Sequence, residues 1–125
     1  MTPRLLACAA ALLALTAACG SQSEAGSAKN DLARYVQTWG TDYDHTMCAQ
    51  WNSSMTEAQR WTAAYDLLRD SRSGDTGISR LPADTLVDRF KADMASRCTA
   101  KSAAARALPD TAADVYQAGR AAYAS

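Results

Sequence analysis

The stretch MCAQWNSSMTEAQRW, residues 47–61, carries the features on which the predicted fold depends. Ser54 and Glu57 have the spacing of a capping box, in which a hydroxyl and a carboxylate satisfy backbone donors at the start of a helix. The apolar residues that follow recur at helical intervals, namely Ala58, Trp61, Ala64, Tyr65 and Leu68. We therefore predict an amphipathic helix that opens with Ser54 and is broken by the Ser- and Gly-rich segment 73–77, which begins a loop to about Leu81.

Two further helices are predicted towards the carboxyl end of the chain. Pro82 suits the first turn of a helix, and the apolar residues after it share one face, namely Leu86, Val87, Phe90, Met94 and Cys98. A break at residues 108–110 precedes a fourth helix, for which Thr111 and Asp114 are candidate caps. The apolar residues of that helix are Val115, Ala118, Ala122 and Tyr123.

Residues 31–52 also have helical spacing. The first part contains the apolar set Leu32, Tyr35, Val36 and Trp39, and the second part contains Tyr43, Met47 and Trp51. Gly40 lies between the two parts, so the segment is either one kinked helix or two short ones. Alternating strand patterns are nearly absent from the chain. The sequence therefore predicts an all-α fold, a small bundle of about four helices over residues 31–125.

The amino-terminal residues are organised as an export signal. Arg4 supplies a positive charge, and residues 5–15 form an unbroken apolar block. As a helix this block would extend roughly 16 Å, about half of a ~30 Å hydrocarbon core, so it is too short to span a membrane. A basic start followed by a short apolar block is typical of a secretory signal peptide, here residues 1–18.

The apolar block ends in LTAACG, residues 15–20, which resembles the lipobox of bacterial lipoproteins, where small residues precede an obligatory cysteine. The resemblance implies cleavage after Ala18, a lipid on Cys19, and attachment to the extracytoplasmic side of the cell membrane. The alternative is plain secretion with an unmodified Cys19. Residues 19–30 would form the lipidated cysteine and a flexible tether, because they are small and polar after Cys19.

Two of the four cysteines then remain for the folded part. Cys8 lies in the cleaved segment, and Cys19 is the lipid acceptor. Cys48 and Cys98 form an even pair in a compartment where disulfides persist, and both lie on predicted apolar helix faces. A disulfide between them would close a loop of roughly 50 residues and contribute about 4 kcal/mol in the chain-entropy model. Two buried free thiols are the alternative.

The charge balance does not favour a nucleic-acid partner. The 13 Lys and Arg residues equal the 13 Asp and Glu residues in number. Removal of residues 1–18 takes away one basic residue, Arg4, and leaves a formal net charge of −1. A near-neutral chain has no strong electrostatic attraction for nucleic acids or acidic lipids. The sequence also contains no signature from which a cofactor or metal site is predicted.

Several polar residues are candidates for a catalytic or metal-binding site. Asp42, Asp44 and His45 lie within four residues, but a metal needs three or four converging ligands, and successive helical residues point in different directions. We interpret them as a cap and surface charges. His45 lies three residues before Cys48, the spacing at which a ring activates a thiol nucleophile, and the predicted disulfide argues against that chemistry.

The remaining candidates have structural interpretations. Two carboxylate pairs lie beside arginines, namely Asp66 and Asp70 near Arg69, and Asp84 and Asp88 near Arg89. We interpret both as solvated charged faces of helices. Trp39, Trp51 and Trp61 are either a binding surface or the core, and their helical spacing favours the core.

Two segments together resemble the small periplasmic acid-stress chaperones HdeA and HdeB. They are MCAQWNSSMTEAQR, residues 47–60, and FKADMASRC, residues 90–98. Those chaperones are all-helical, with one disulfide between distant cysteines and an aromatic residue shortly after the first. Cys48, Trp51 and Cys98 match these positions. The chain also resembles uncharacterised lipoproteins of high-GC Gram-positive bacteria, which share this pattern and composition.

The sequence thus favours a membrane-anchored lipoprotein with a non-catalytic binding or structural role in the cell envelope. Its expected partners are the membrane, through the lipid on Cys19, and an unidentified envelope protein. The resemblance to HdeA and HdeB implies one alternative, a chaperone whose bundle loosens in acid. A weak hydrolase or metal-dependent enzyme that uses His45 is the other alternative.

Overall fold

The computed structural model of the chain describes residues 32–125, and over that range it is helical with no β-strand. The predicted signal peptide, Cys19 and the predicted tether lie outside the described residues. Five helices follow one another, here α1 (Cys48–Ser53), α2 (Glu57–Thr76), α3 (Asp84–Cys98), α4 (Leu108–Ala118) and α5 (Arg120–Tyr123). Short 3₁₀ turns occupy Tyr43–His45 and Lys101–Ala103. The predicted all-α bundle is confirmed.

The core lies between the three long helices, because α2, α3 and α4 each pack against the other two. The short helix α1 packs against α3 and α4. The largest fully buried side chains are Trp51, Tyr116, Tyr123, Phe90, Leu68 and Met94. Trp61 is buried as well, and Trp39 packs against the edge of the core. The interpretation of the tryptophans as core residues is confirmed for Trp51 and Trp61, whereas Trp39 is only partly buried.

A disulfide joins the first residue of α1 to the last residue of α3. The two sulfur atoms of Cys48 and Cys98 are 2.10 Å apart, and both cysteines are buried. The predicted pairing is therefore confirmed, and the alternative of two free thiols is wrong. The bridge ties α1, a helix of 6 residues, to one of the long helices.

The N-cap of the helix predicted from Ser54 lies two residues later, at Thr56. Thr56 is the N-cap of α2, and its hydroxyl accepts a hydrogen bond from the Gln59 backbone N–H at 3.2 Å. The Gln59 side chain accepts one in return from the Thr56 N–H at 2.9 Å. Ser54 instead ends α1, because its N–H donates to the Gln50 carbonyl. A capping box is present, but Ser54 and Glu57 are not its members.

The end of α2 also differs from the prediction. The helix continues through the Ser- and Gly-rich segment to Thr76, and Gly77 caps it in the left-handed conformation at φ 68°. Asp75, in the last turn, accepts hydrogen bonds from the Tyr116 hydroxyl and the Arg120 guanidinium. These tertiary contacts hold the last turn helical although its local sequence favours a loop.

Helix α3 begins later in the sequence than predicted, and α4 begins earlier. Pro82 is buried and lies outside α3, which has Ala83 as its N-cap. The predicted break at residues 108–110 is wrong, because α4 already begins at Leu108 with Pro109 in its first turn. Leu108 is fully buried and its N–H donates to the Thr46 carbonyl at 2.8 Å, which fixes the helix start.

The predicted caps of the fourth helix do not cap it. Thr111 lies inside α4, and its hydroxyl donates to the Ala107 carbonyl at 3.2 Å. Asp114 forms an ion pair with Arg106 at 2.6 Å. The single predicted helix is divided at Gly119, where an added Cβ would come within 2.5 Å of the Tyr123 ring. The close approach of the ring explains why this position carries no side chain.

The largest correction concerns the amino-terminal part of the domain. Helical geometry at Leu32 and Ala33 changes to turns, and residues 37–39 are extended or irregular. The helix predicted from the spacing of Leu32, Tyr35, Val36 and Trp39 is therefore wrong. An isolated helix of this length is marginal in water, and Leu32 and Val36 remain 74% and 59% exposed. We call residues 32–42 the strap.

Within residues 32–125, no helix has the length and apolar character required to cross a membrane.

The two glycines near the end of α2 provide a matched test of its cap. Gly77→Ala should destabilise the domain by about 1 kcal/mol, because alanine is strained at positive φ. Gly74→Ala, inside the helix, should stabilise it by about 0.5–1 kcal/mol, because an added Cβ meets nothing within 4 Å. Urea unfolding of both variants measures the difference. Equal effects of the two substitutions would contradict the position of the cap.

Candidate interaction surface

The strap is held on α2 by aromatic stacking. Trp61 and Tyr65 stack with ring centroids 5.7 Å apart, and both are buried. The Tyr35 ring meets them edge-on, at 5.5 Å from Trp61 and 4.9 Å from Tyr65. The Arg34 guanidinium lies 3.7 Å from the centre of the Trp61 ring. A hydrogen bond of 2.6 Å from the Thr62 hydroxyl to the Arg34 carbonyl fixes the backbone.

Asp84, at the start of α3, connects the strap to a second helix. Its carboxylate accepts hydrogen bonds from the Arg34 guanidinium at 3.1 Å and from the Tyr35 hydroxyl at 3.2 Å. The Arg34 and Asp84 side chains are partly exposed, and an ion pair of that kind contributes only ~0–1 kcal/mol. The contact therefore positions the strap more than it stabilises the fold.

Five aspartates accept hydrogen bonds from the polar ends of aromatic side chains. In four of the five pairs this arrangement satisfies the donor of a ring that is buried or partly buried, whereas the Tyr35 ring is 39% exposed. The pairs are Tyr35–Asp84, Tyr43–Asp66, Trp61–Asp88, Tyr116–Asp75 and Tyr123–Asp93. The interpretation of Asp66, Asp84 and Asp88 as solvated charges is thus incomplete, because each positions a ring. Only Asp70 fits it fully, as an exposed partner of Arg69.

These pairs alter the proton affinity of the groups involved. Burial, reinforced by the neighbouring aspartate, raises the pKa of four tyrosines above 10.0, namely Tyr35, Tyr43, Tyr116 and Tyr123. Burial also raises the pKa of Asp66. Hydrogen bonds from Arg120 and then from Tyr116 lower the pKa of Asp75. The direction of each shift follows from whether burial or a cationic partner dominates.

The residues considered as catalytic candidates do not converge. Asp42, Asp44 and His45 are all exposed around the first 3₁₀ turn. Asp42 and Asp44 line an open groove of about 500 Å³ with Asp70 from α2. Over residues 32–125, no group of three or more His, Cys, Asp or Glu side chains is placed to hold a metal ion.

The sulfur of Cys48 is not available as a nucleophile. It is bonded to Cys98 and lies 3.4 Å from the Thr111 hydroxyl oxygen in the core. His45 is exposed, whereas the next residue in the sequence, Thr46, is fully buried. The spacing of His45 and Cys48 therefore reflects a turn that leads into α1, not a paired ring and thiol.

A group of exposed apolar side chains lies on the strap and on the loop between α2 and α3. Six large apolar residues are exposed in the described part of the chain, and five of them belong to these two segments. We call the four aliphatic members the apolar rim, namely Leu32, Val36, Ile78 and Leu81. Sequence spacing alone concealed this surface, because it assigned Leu32 and Val36 to the buried face of a helix.

Comparison of the chain with protein-family models, with curated proteins and with solved structures finds no match in any of the three.

The raised tyrosine pKa values predict stability that is lost in alkali. A tyrosine that holds its proton more tightly in the folded chain contributes its full stability below pH 10, and loses it as the pH rises through the raised value. At about pH 11, most tyrosines of the urea-unfolded chain should be ionised, whereas the native chain should show much less tyrosinate absorbance. Tyr43→Phe should leave the tyrosinate absorbance of the native protein at about pH 11 unchanged, because the raised pKa of Tyr43 keeps this side chain protonated there. Superimposable titrations of the native and unfolded chains would contradict the Tyr–Asp geometry.

Proposed function

We propose that this chain is a bacterial lipoprotein, attached to the extracytoplasmic face of the cell membrane by a lipid on Cys19. The proposal rests first on the lipobox-like sequence LTAACG, residues 15–20. The observation in the folded part that supports it best is the buried Cys48–Cys98 disulfide. Structural disulfides persist in oxidising compartments, and they are rare where thiol reductants are abundant.

The role proposed for the domain is binding or structural support at the membrane surface, without catalysis. The polar groups that were candidates for catalysis have structural roles or are exposed. Asp66, Asp84 and Asp88 hold aromatic rings, and Cys48 is bridged. His45 is exposed on a turn.

The attachment also limits where the domain can act. Leu32 lies thirteen positions after Cys19 in the sequence. A flexible segment of that length has a typical reach of roughly 20 Å and a maximum of about 45 Å. A bundle on such a tether meets partners in or near the membrane and does not extend far from it.

Two cysteine substitutions test the anchor. Cells that express wild-type protein, Cys19→Ser or Cys8→Ser are grown with a labelled fatty acid, and the purified chains are assayed for label. We expect label in wild type and in Cys8→Ser, whose change lies in the cleaved segment, and none in Cys19→Ser. Label that survives in Cys19→Ser, or is absent from all three, would overturn the proposal.

A second candidate function is an acid-responsive chaperone, favoured by the carboxylates that fasten the helices. A hydrogen bond from Lys91 lowers the pKa of Glu57, and Arg120 and Tyr116 lower that of Asp75. A carboxyl with a lowered pKa contributes stability above its unfolded value and loses it as the pH falls through the folded value. Asp66, with a raised pKa, opposes this trend. Acid would therefore loosen the contacts of α2 with α3 and α5.

Light scattering of an aggregating client protein tests this function. The purified, disulfide-bonded protein should suppress aggregation at about pH 2, below the ordinary carboxyl pKa values, and not at pH 7. Asp75→Asn already lacks the charged link to Arg120, so its suppression should begin at a higher pH. Asp110→Asn, an exposed residue in the first turn of α4, serves as the control. Absence of suppression by the wild-type protein at low pH would remove this candidate.

A further inference from the structure

The apolar rim is the most unusual feature of the surface of residues 32–125. Leu32, Val36, Ile78 and Leu81 are 74%, 59%, 40% and 60% exposed. Exposed aliphatic side chains scattered singly need no explanation, but a group confined to two segments does. Met47, at 36%, is the sixth exposed large apolar residue and lies outside these segments.

The strap and the loop between α2 and α3 come together at Asp84. Backbone hydrogen bonds Tyr35 N–H to Leu32 C=O and Val36 N–H to Ala33 C=O make successive turns. Leu32 and Val36 therefore belong to one compact pair of turns, and both side chains are exposed. The strap is bound to Asp84 through Arg34 and Tyr35. Leu81 precedes Asp84 by three residues, so the Cα atoms of Leu81 and Asp84 are at most about 11 Å apart.

From this placement, we infer that the apolar rim rests on the lipid surface of the membrane to which the chain is anchored. The inference rests on the proposed lipid at Cys19 and adds an orientation to it. The side of the domain with the strap and the α2–α3 loop would face the bilayer. Aliphatic side chains would enter the boundary between lipid head groups and acyl chains, as the apolar face of an interfacial element does.

The chain outside the structure supports a lipid occupant. The rim begins at Leu32, the first described residue, and Cys19 lies only thirteen residues before it. A flexible tether of that length has a typical reach of roughly 20 Å, so it would hold Leu32 close to the anchor. Tethering converts docking into an intramolecular event with a high effective concentration, so a surface of low intrinsic affinity is sufficient.

The size of the rim argues against a protein occupant. A standard protein interface buries about 800 Å² on each partner, and its energy is concentrated in aromatic and arginine side chains. The rim consists of four aliphatic side chains. The neighbouring Tyr35 and Arg34 are already engaged with Asp84 and the rings of α2. A bilayer requires no such complementary shape.

The strap explains how the rim keeps its apolar side chains exposed. Arg34 and Tyr35 occupy the surface of Trp61 and Tyr65, so the strap cannot turn to bury Leu32 and Val36 in the same place. The contacts with Thr62 and Asp84 hold it in this orientation. The exposed side chains are thus presented by a fixed segment, which lowers the entropy cost of docking.

Photo-crosslinking from the membrane-anchored protein tests the inference. A benzophenone amino acid is placed at position 36, 81 or 47 of the full chain, and the lipoprotein is isolated and reconstituted in phosphatidylcholine vesicles. After irradiation, mass spectrometry measures lipid adducts, and it measures the acyl group on Cys19 in the same sample. We expect a yield of lipid adducts several-fold higher at positions 36 and 81 than at position 47.

A second set of variants keeps the probe at position 81 and changes the rest of the rim. Leu32→Ser with Val36→Ser should lower the lipid-adduct yield, whereas the matched Met47→Ser should leave it unchanged. All three side chains are exposed, so the fold should tolerate the substitutions. Far-ultraviolet circular dichroism of each variant verifies this point.

The possible failures are distinguishable. An acylated Cys19 with equal lipid yields at all three positions would overturn the rim inference and leave the anchor in place. Adducts from positions 36 and 81 to another protein, or to a second copy of this chain, would also overturn it and would identify the rim as a protein interface. An unacylated Cys19 would remove the proposed anchor, and the rim inference with it.

Discussion

The Cys48–Cys98 disulfide is the constraint on which the arrangement of the bundle depends. A domain of this size buries only ~60% or slightly more of the surface of its unfolded chain, so its hydrophobic core gives a small margin of stability. Helix α1 has 6 residues and would not persist in isolation. The bridge fastens it to the end of α3, and a hydrogen bond from the Asn52 side chain to the Cys98 carbonyl reinforces the junction. Trp51 is thereby held in the core.

The second organising feature is the use of aspartates to fix aromatic rings. Tyrosines and two tryptophans supply much of the core volume, and four of the five pairs provide a partner for a ring donor in or beside that core. The fifth pair, Tyr35–Asp84, fixes the strap. One consequence is that the aspartates of these pairs contribute to contacts between helices. Another is that the strap, fixed by Tyr35 on Asp84, presents its aliphatic side chains outward. The proposed membrane-facing surface is therefore a product of the same interactions that close the core.

The sequence predicted the parts of the fold that depend on periodicity and cysteine pairing. The stripe of Phe90, Met94 and Cys98 identified α3. The pairing of Cys48 with Cys98 is expected because the predicted export signal and lipobox account for the other two cysteines. Prediction from the sequence failed where tertiary contacts outweigh local preference, as in residues 73–76 and in the strap. Five aromatic–aspartate pairs join residues distant in sequence, which spacing cannot reveal. The apolar rim was concealed for the same reason.

The most direct test of this account compares the unfolding of the oxidised protein with that of Cys48→Ala/Cys98→Ala. Urea unfolding, followed by tryptophan fluorescence and circular dichroism, gives the free energy of each. The account predicts that loss of the bridge lowers the free energy of unfolding by about 4 kcal/mol, a large part of the total for a small domain. Equal free energies, with Trp51 still buried in the variant, would contradict the central role of the disulfide.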